Sequence, residues 1–281
     1  MVDPLFRSAY REIRMAVIWW GMGIGLLLVI TVALWPSIAE EYSAMIAELP
    51  EGWMAFFGGK SLTTVEGYLS VEFFSLAPLI LGVFAVLAGS AALSGEESEG
   101  TLDLILSQPV RRSRLVLAKG FALTAGVGVI IGITTALTAA TVIVMDIDLS
   151  PGRAFGALAL LWPFELALAL IAMLLTQMLP GRALAGSVLS AYLIASYVLD
   201  SMSNIEPALV YFKPLYITSY YQGSNALGGQ IDWAYVMGLV AIVVVTWAAC
   251  IPLFARRDIG TQRPLNILGL LRRNKTTSNA A

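Results

Sequence analysis

The amino-acid sequence predicts an all-α membrane protein with six transmembrane helices. Of its 281 residues, 58% are hydrophobic and 13% are charged, whereas soluble domains contain about 45–50% apolar and about 25% charged residues. The few charges also divide the chain into apolar runs long enough to cross about 30 Å of hydrocarbon as helices that rise about 1.5 Å per residue. A water-soluble fold could not cover its surface with so few polar groups.

Six apolar runs carry the predicted spans, which together form a single transmembrane domain over residues 1–281. The fourth run is interrupted by one acid, Glu165, and still fits a spanning helix. The fifth has 17 uncharged residues between Arg182 and Asp200, so that helix is expected to tilt little or to lie partly outside the hydrocarbon. The predicted spans are about 15–37, 73–95, 120–145, 155–180, 183–199 and 233–255.

The positive charges set the predicted orientation. Most of the 17 Lys and Arg residues fall on one side of the spans and acids dominate the other, and short loops rich in Lys and Arg stay in the cytoplasm. Both termini of this multi-pass protein of the plasma or inner membrane are therefore expected in the cytoplasm. Residues 1–14 are expected to form an interfacial helix or a solvated leader, and residues 256–281 a cytoplasmic tail that meets anionic lipid.

Two long segments are predicted on the outer side, residues 36–72 and 201–232. In the first, Ile38 to Leu49 has helical spacing and ends before Pro50, which predicts an extension of the first span or a small interfacial helix. The second is rich in aromatic residues, which favours an interfacial belt over a dedicated substrate-binding surface. These aromatic residues are Tyr211, Phe212, Tyr216, Tyr220 and Tyr221.

Several function classes are excluded by composition. The chain has no histidine and one cysteine, which excludes an intrachain disulfide, a Cys/His zinc site and histidine acid–base catalysis. The net charge of −2 argues against nucleic-acid binding. The triplet Gly59-Lys60-Ser61 matches the end of a phosphate-binding loop, but Met54 stands where such a loop needs glycine. We therefore expect neither a metal site nor an ATPase site in this chain.

The inner segment between the second and third spans has the composition of a docking element. Thr101 can cap a short helix, and Pro109 ends it because the residue before a proline avoids α geometry. The apolar side chains of that helix need a partner, and the acids before it and arginines after it can orient one. Alternatively, the arginines only enforce topology. The residues of this predicted docking segment are Glu96, Glu97, Glu99, Gly100, Thr101, Leu102, Asp103, Leu104, Ile105, Leu106 and Pro109.

The same segment carries a wider pattern. It contains Gly95-Glu96-Glu97, then Glu99 to Asp103, then Pro109-Val110 with Arg112, Leu115 and Lys119. This pattern is similar to that of ABC-2 type transporter permeases. The six spans, the inner termini, the N-terminal surface helix, the large first outer loop and Arg256-Arg257-Asp258 extend the resemblance over most of the chain.

The resemblance implies that the docking segment is a coupling helix with its flanks. It implies the permease subunit of an ABC exporter, paired with an identical or homologous permease chain and with two copies of a cytosolic ATPase subunit. Such a complex would move a hydrophobic or amphiphilic substrate out of the cytoplasm by alternating access. ATP and Mg²⁺ are then expected on the ATPase subunit, with no cofactor in this chain, which is a transport subunit and not itself an enzyme.

Glu165 is the one ionisable residue deep in a predicted span, and an intramembrane acid costs several kcal/mol if it stays unpaired. Pro163 removes a backbone hydrogen bond from the same helix and can open it toward a cavity. These two residues are candidates for the translocation path. The alternatives are that Glu165 bonds a neighbouring helix or lies shallow on the outer side.

Two competing functions follow from the same residues. An ion-gradient-driven secondary transporter would use Glu165 as its proton site, although the chain lacks the repeated halves typical of such carriers. An intramembrane enzyme would need charged residues that converge within the spans, and the sequence places them in loops instead. Small residues are expected to allow close helix packing, namely Gly82, Gly89, Gly126, Gly128 and Gly132.

Overall fold

The structure is a computed structural model that describes residues 4–47, 64–98 and 111–256. Within these ranges the regular elements are helical, and six helices are long and apolar enough to cross a membrane. The predicted all-α fold with six such helices is therefore confirmed. The spans lie within Pro4–Ala39, Val65–Gly95, Arg112–Val144, Pro151–Met178, Arg182–Met202 and Trp233–Ala255.

The described residues form six long α-helices and three short ones. In chain order the helices are α1 (Pro4–Ala47), α2 (Val65–Leu69), α3 (Ala77–Ser98), α4 (Arg112–Val144), α5 (Pro151–Met178), α6 (Arg182–Met202), α7 (Pro207–Val210), α8 (Gly223–Leu227) and α9 (Trp233–Arg256). A π-helical turn, Ser70–Phe74, joins α2 to α3, and two 3₁₀ turns, Lys213–Leu215 and Ile217–Tyr220, lie between α7 and α8. The bundle has two ends. The basic end is the one at which α4 and α6 begin and α9 terminates. The loop end is the opposite one, which holds residues 203–232.

The first helix is longer than predicted at both ends. α1 is continuous from Pro4 to Ala47, so residues 4–14 of the leader belong to the same helix as the first span. No glycine precedes Gly21 and the internal proline is Pro36, so nothing in the charged leader breaks the helix. Its position on the inner membrane surface remains a prediction. The predicted extension beyond Ile38 is confirmed as far as Ala47.

The fifth helix forms the centre of the bundle. α5 packs against α3, α4, α6, α8 and α9, and its residues 164–170 are all buried. Two hydrophobic clusters meet along it, and the one that includes Phe164 and Met173 extends to Leu115 near the start of α4. The other contains Leu158 and extends to Val17 in α1. An apolar sequence on all sides of α5 therefore follows from its central position.

Glycines set the closest helix crossings. At Gly89 in α3, a Cβ atom would overlap the backbone carbonyl of Ala169 in α5, and at Gly120 in α4 it would lie 2.5 Å from the Trp247 indole of α9. These positions require glycine because the facing atoms are backbone or a packed ring. No atom of the described residues lies within 4 Å of the Cβ position of Gly132, so the packing role predicted for this glycine finds no support within this part of the chain.

Residues 203–232 fold back onto the bundle through hydrogen bonds. Ser70 and Ser224 each donate from Oγ to the other's carbonyl at 3.2 Å, which joins the π-helical turn to α8. The Ser196 Oγ and Thr218 Oγ1 atoms are 3.0 Å apart. The predicted aromatic segment is divided, with Tyr211 86% exposed and Tyr216 5% exposed. The loop end is thus a packed cap with an aromatic rim.

Candidate functional site: the basic end and a buried acid

The predicted docking segment joins α3 to α4 at the basic end. Glu96 and Glu97 lie in the last turn of α3, which ends at Ser98, and α4 begins at Arg112. The segment is therefore anchored between two spanning helices. Its other residues lie outside the described residues, and their role stays a prediction; these are Glu99, Gly100, Thr101, Leu102, Asp103, Leu104, Ile105, Leu106 and Pro109.

The start of α4 is fixed to two other helices. The Lys119 ammonium lies 2.7 Å from Glu12 Oε2 in α1, and the lysine side chain is 4% exposed against 48% for the glutamate. Arg112 donates from Nη1 to the carbonyl of Ala255 in α9 at 3.3 Å. The helix that follows the docking segment is therefore held to both α1 and α9.

The Lys119–Glu12 pair was not predictable from the sequence. Lys119 belongs to the permease-like pattern that follows the docking segment, and Glu12 belongs to the N-terminal segment of residues 1–14. The two residues are 107 positions apart in the sequence. The signal that could have found the pair is a lysine placed inside an apolar run, because an ammonium there needs a carboxylate partner.

We expect Glu12→Gln to destabilise the protein by about 1–3 kcal/mol, because the nearly buried Lys119 ammonium loses its charged hydrogen-bond partner. Thermal unfolding of the purified protein in detergent measures the effect. Arg11→Gln is the control, since Arg11 is exposed on the same turn. Equal unfolding temperatures for the wild type and Glu12→Gln would show that the pair contributes no stability.

Glu165 lies at the centre of the bundle. Its side chain is 0% exposed, and neither carboxylate oxygen has a hydrogen-bond partner within the described residues. A Cβ atom at Gly82 in α3 would lie 4.0 Å from its Oε2 atom. The depth of Glu165 in the membrane stays a prediction, and no bond to a neighbouring helix is seen in the described part of the chain. α5 continues through Pro163, which supplies no N–H for the preceding turn.

Tyr221 of the loop end reaches the core near Glu165. Its ring packs 5.6 Å from that of Phe164, and its hydroxyl is buried without a hydrogen-bond partner among the described residues. Burial, and then the negative charge of Glu165, raise the pKa of Tyr221 well above its usual value, so the phenol keeps its proton and remains a donor. The proximity of Tyr221 to Glu165 was not predictable from the sequence, because the two residues belong to different segments.

The buried acid and the buried phenol are unsatisfied polar groups in an otherwise apolar core. Each such group costs about 1–3 kcal/mol relative to a bonded one, and groups of this kind call for a specific explanation. Together with the docking segment, they are the features of this chain that a purely structural membrane bundle would not need.

Comparison with known proteins identifies the family. The model for the C-terminal domain of the multidrug efflux system permease Rv1217c matches residues 6–254, which is most of the chain. The probable ABC transporter permease protein NosY of Pseudomonas aeruginosa is 33% identical over 139 residues, an alignment that covers 45% of this chain and 50% of NosY. The chain thus spans about half the length of this curated relative. The match over residues 6–254 shows that the chain belongs to the Rv1217c C-terminal-domain family and is an ABC transporter permease.

Proposed function

We propose that this chain is the permease subunit of an ATP-driven exporter that moves a hydrophobic or amphiphilic substrate out of the cytoplasm. It works with two copies of a separate cytosolic ATPase subunit, which bind ATP and Mg²⁺, and with a second permease chain, identical or homologous. The observation that carries the proposal is the family match over residues 6–254. The docking segment between α3 and α4 supports it, because the segment offers an ATPase a binding element directly attached to two spans.

The proposed mechanism is alternating access driven through that segment. The basic end, with both termini, faces the cytoplasm, as the distribution of Lys and Arg favours. When ATP closes the ATPase dimer, the docking segments of the two permease chains move together. α3 and α4 carry this movement across the membrane and open the opposite face, a relative motion of helices that stay individually rigid.

Purification of the tagged chain from membranes of its own source tests the proposal. A stable partner with a G-x-x-x-x-G-K-[ST] loop, together with ATP-dependent transport in reconstituted vesicles, is the expected result. Absence of any such partner from a well-folded preparation would contradict the exporter.

An ion-gradient-driven secondary transporter is the second candidate, and the buried Glu165 carboxylate, which has no hydrogen-bond partner among the described residues, favours it. Such a carboxylate is typical of proton sites in carriers. The purification experiment separates the two candidates, because proton-coupled uptake by the chain without an ATPase subunit would support the carrier.

We place Glu165 and Pro163 in the translocation path of the exporter, and Glu165→Gln tests this placement. We expect ATP-driven transport to fall by about tenfold, because a group able to carry charge in the apolar core is lost. Transport in reconstituted vesicles and size-exclusion chromatography measure activity and assembly together. Glu206→Gln, at an exposed acid of the loop end, is the control. Unchanged transport by Glu165→Gln with normal assembly would remove Glu165 from the path.

A further inference from the structure

A polar cavity of about 380 Å³ opens at the loop end within a single chain. Its wall is formed by the π-helical turn, the end of α6, the segment between Lys213 and Asn225, and the start of α9. This volume is in the range of small-molecule sites, which are about 300–1,000 Å³. The hydrogen bonds that join Ser70 to Ser224 and Ser196 to Thr218 hold opposite parts of this region in place.

Charges of both signs line the cavity. Asp200, Asp232 and Lys213 all contribute to its wall. Lys213 is close enough to Asp200 to attract it electrostatically, but no direct ion pair joins Lys213 to a carboxylate in the described ranges. A lysine and two carboxylates that face one space without a direct ion pair match a ligand that itself carries both charges.

Tyr221 forms part of the cavity wall with its hydroxyl enclosed. Tyr221 lines the cavity, and its buried hydroxyl has no partner in the described part of the chain. The neighbouring Gly223 is required there, because a Cβ atom at that position would overlap the Tyr221 hydroxyl. Lys213 also lies in this wall, and its ammonium can make an ionic contact with an anionic oxygen that enters the cavity.

We propose that this cavity binds a zwitterion in which an ammonium group and an anionic oxygen group are a few bonds apart. The ammonium contacts Asp232 and Asp200, and the anionic group contacts Lys213. A phospholipid headgroup of the ethanolamine type and its free glycerophosphoryl form share this chemistry. The inference goes beyond the proposed export function, because it requires neither ATP nor an ATPase subunit.

Binding of radiolabelled glycerophosphoethanolamine to the purified full chain, in nanodiscs of phosphatidylglycerol, tests the proposal. We expect saturable binding of the probe. Ethanolamine alone or glycerol phosphate alone should compete at least about tenfold more weakly than unlabelled glycerophosphoethanolamine, since each half lacks one charge contact. Equal competition by ethanolamine would show a simple cation site and overturn the proposal, as would the absence of saturable binding.

Matched variants locate the site. Asp232→Asn and Lys213→Gln are each expected to weaken binding at least about tenfold, while Glu206→Gln, which changes an acid outside the cavity wall, stays within about twofold. Asp232 Oδ1 accepts a hydrogen bond from the Ala234 N–H at 2.9 Å, and asparagine can form the same bond, so the start of α9 is preserved. Wild-type affinity in well-folded Asp232→Asn or Lys213→Gln would overturn the assignment.

A second set of nanodiscs distinguishes the two sources of the ligand. If the headgroup of a membrane lipid occupies the cavity, added phosphatidylethanolamine weakens the binding of the soluble probe. If the natural ligand is a free molecule, phosphatidylethanolamine leaves the binding unchanged. Both results require the same charge contacts and support the zwitterion site.

Discussion

Gly89→Val is expected to destabilise the folded protein strongly, lowering its unfolding temperature in detergent by about 10 °C. The side chain would meet the backbone carbonyl of Ala169, and no change of rotamer moves a backbone atom away. α3 and α5 would have to separate along one of the most extensive contacts in the bundle. Overpacking of this kind costs about 1–3 kcal/mol or more, and each kcal/mol corresponds to a few degrees in a chain of this size.

Gly132→Val is the matched control for this experiment. No atom of the described residues lies within 4 Å of the Cβ position of Gly132, and the residue is exposed, so valine is expected to fit there without displacing a neighbouring helix. Size-exclusion chromatography and thermal unfolding of both variants give the comparison. Similar losses for the two variants would show that valine acts through helix propensity, and that the α3–α5 crossing does not require glycine.

Leu104→Arg is expected to reduce recovery of the proposed ATPase partner and ATP-driven transport by about a hundredfold. Leu104 belongs to the predicted docking helix, whose apolar residues need a partner. An arginine there would bring an unpaired charge into the interface, at a cost of several kcal/mol, and about 2.8 kcal/mol corresponds to a hundredfold change in affinity. Co-purification and ATPase stimulation measure the effect.

Two controls accompany Leu104→Arg. Leu104→Met keeps an apolar side chain and is expected to bind the partner normally. Leu271→Arg adds the same charge to the C-terminal tail and tests whether an extra arginine on this side of the membrane is harmful in itself. If Leu104→Arg retained its partner with undiminished stimulation, residues 96–109 would not be the coupling segment.

The number and approximate position of the spans were predictable because charge is costly in hydrocarbon. The apolar runs alone gave a fifth span of 17 residues, whereas α6 extends from Arg182 to Met202. The helix simply includes the charged residues that bound the run, since helical hydrogen bonding continues into the polar interface. The second span likewise starts at Val65 and passes Glu72 through a π-helical turn, which no local pattern had indicated.

Contacts between distant segments could not be predicted from one sequence. Glu165 was identified as an intramembrane acid, but its position beside Gly82 and near Tyr221 depends on how α3, α5 and residues 203–232 pack. The same holds for the Lys119–Glu12 pair. Hydrophobic patterns predict which residues are buried, but they do not predict which helix packs against which. This is clearest for α5, which is apolar on all sides.

The Lys119–Glu12 contact lies within one of two closely packed helix pairs in the bundle. α1 packs extensively on α4, and α3 on α5, so residues 99–110 connect helices that belong to two different closely packed pairs. A force applied to the docking segment acts between these two pairs. The motion that costs least energy in such an assembly is the sliding of one pair against the other as a unit. The Lys119–Glu12 contact makes α1 move together with α4 in that motion.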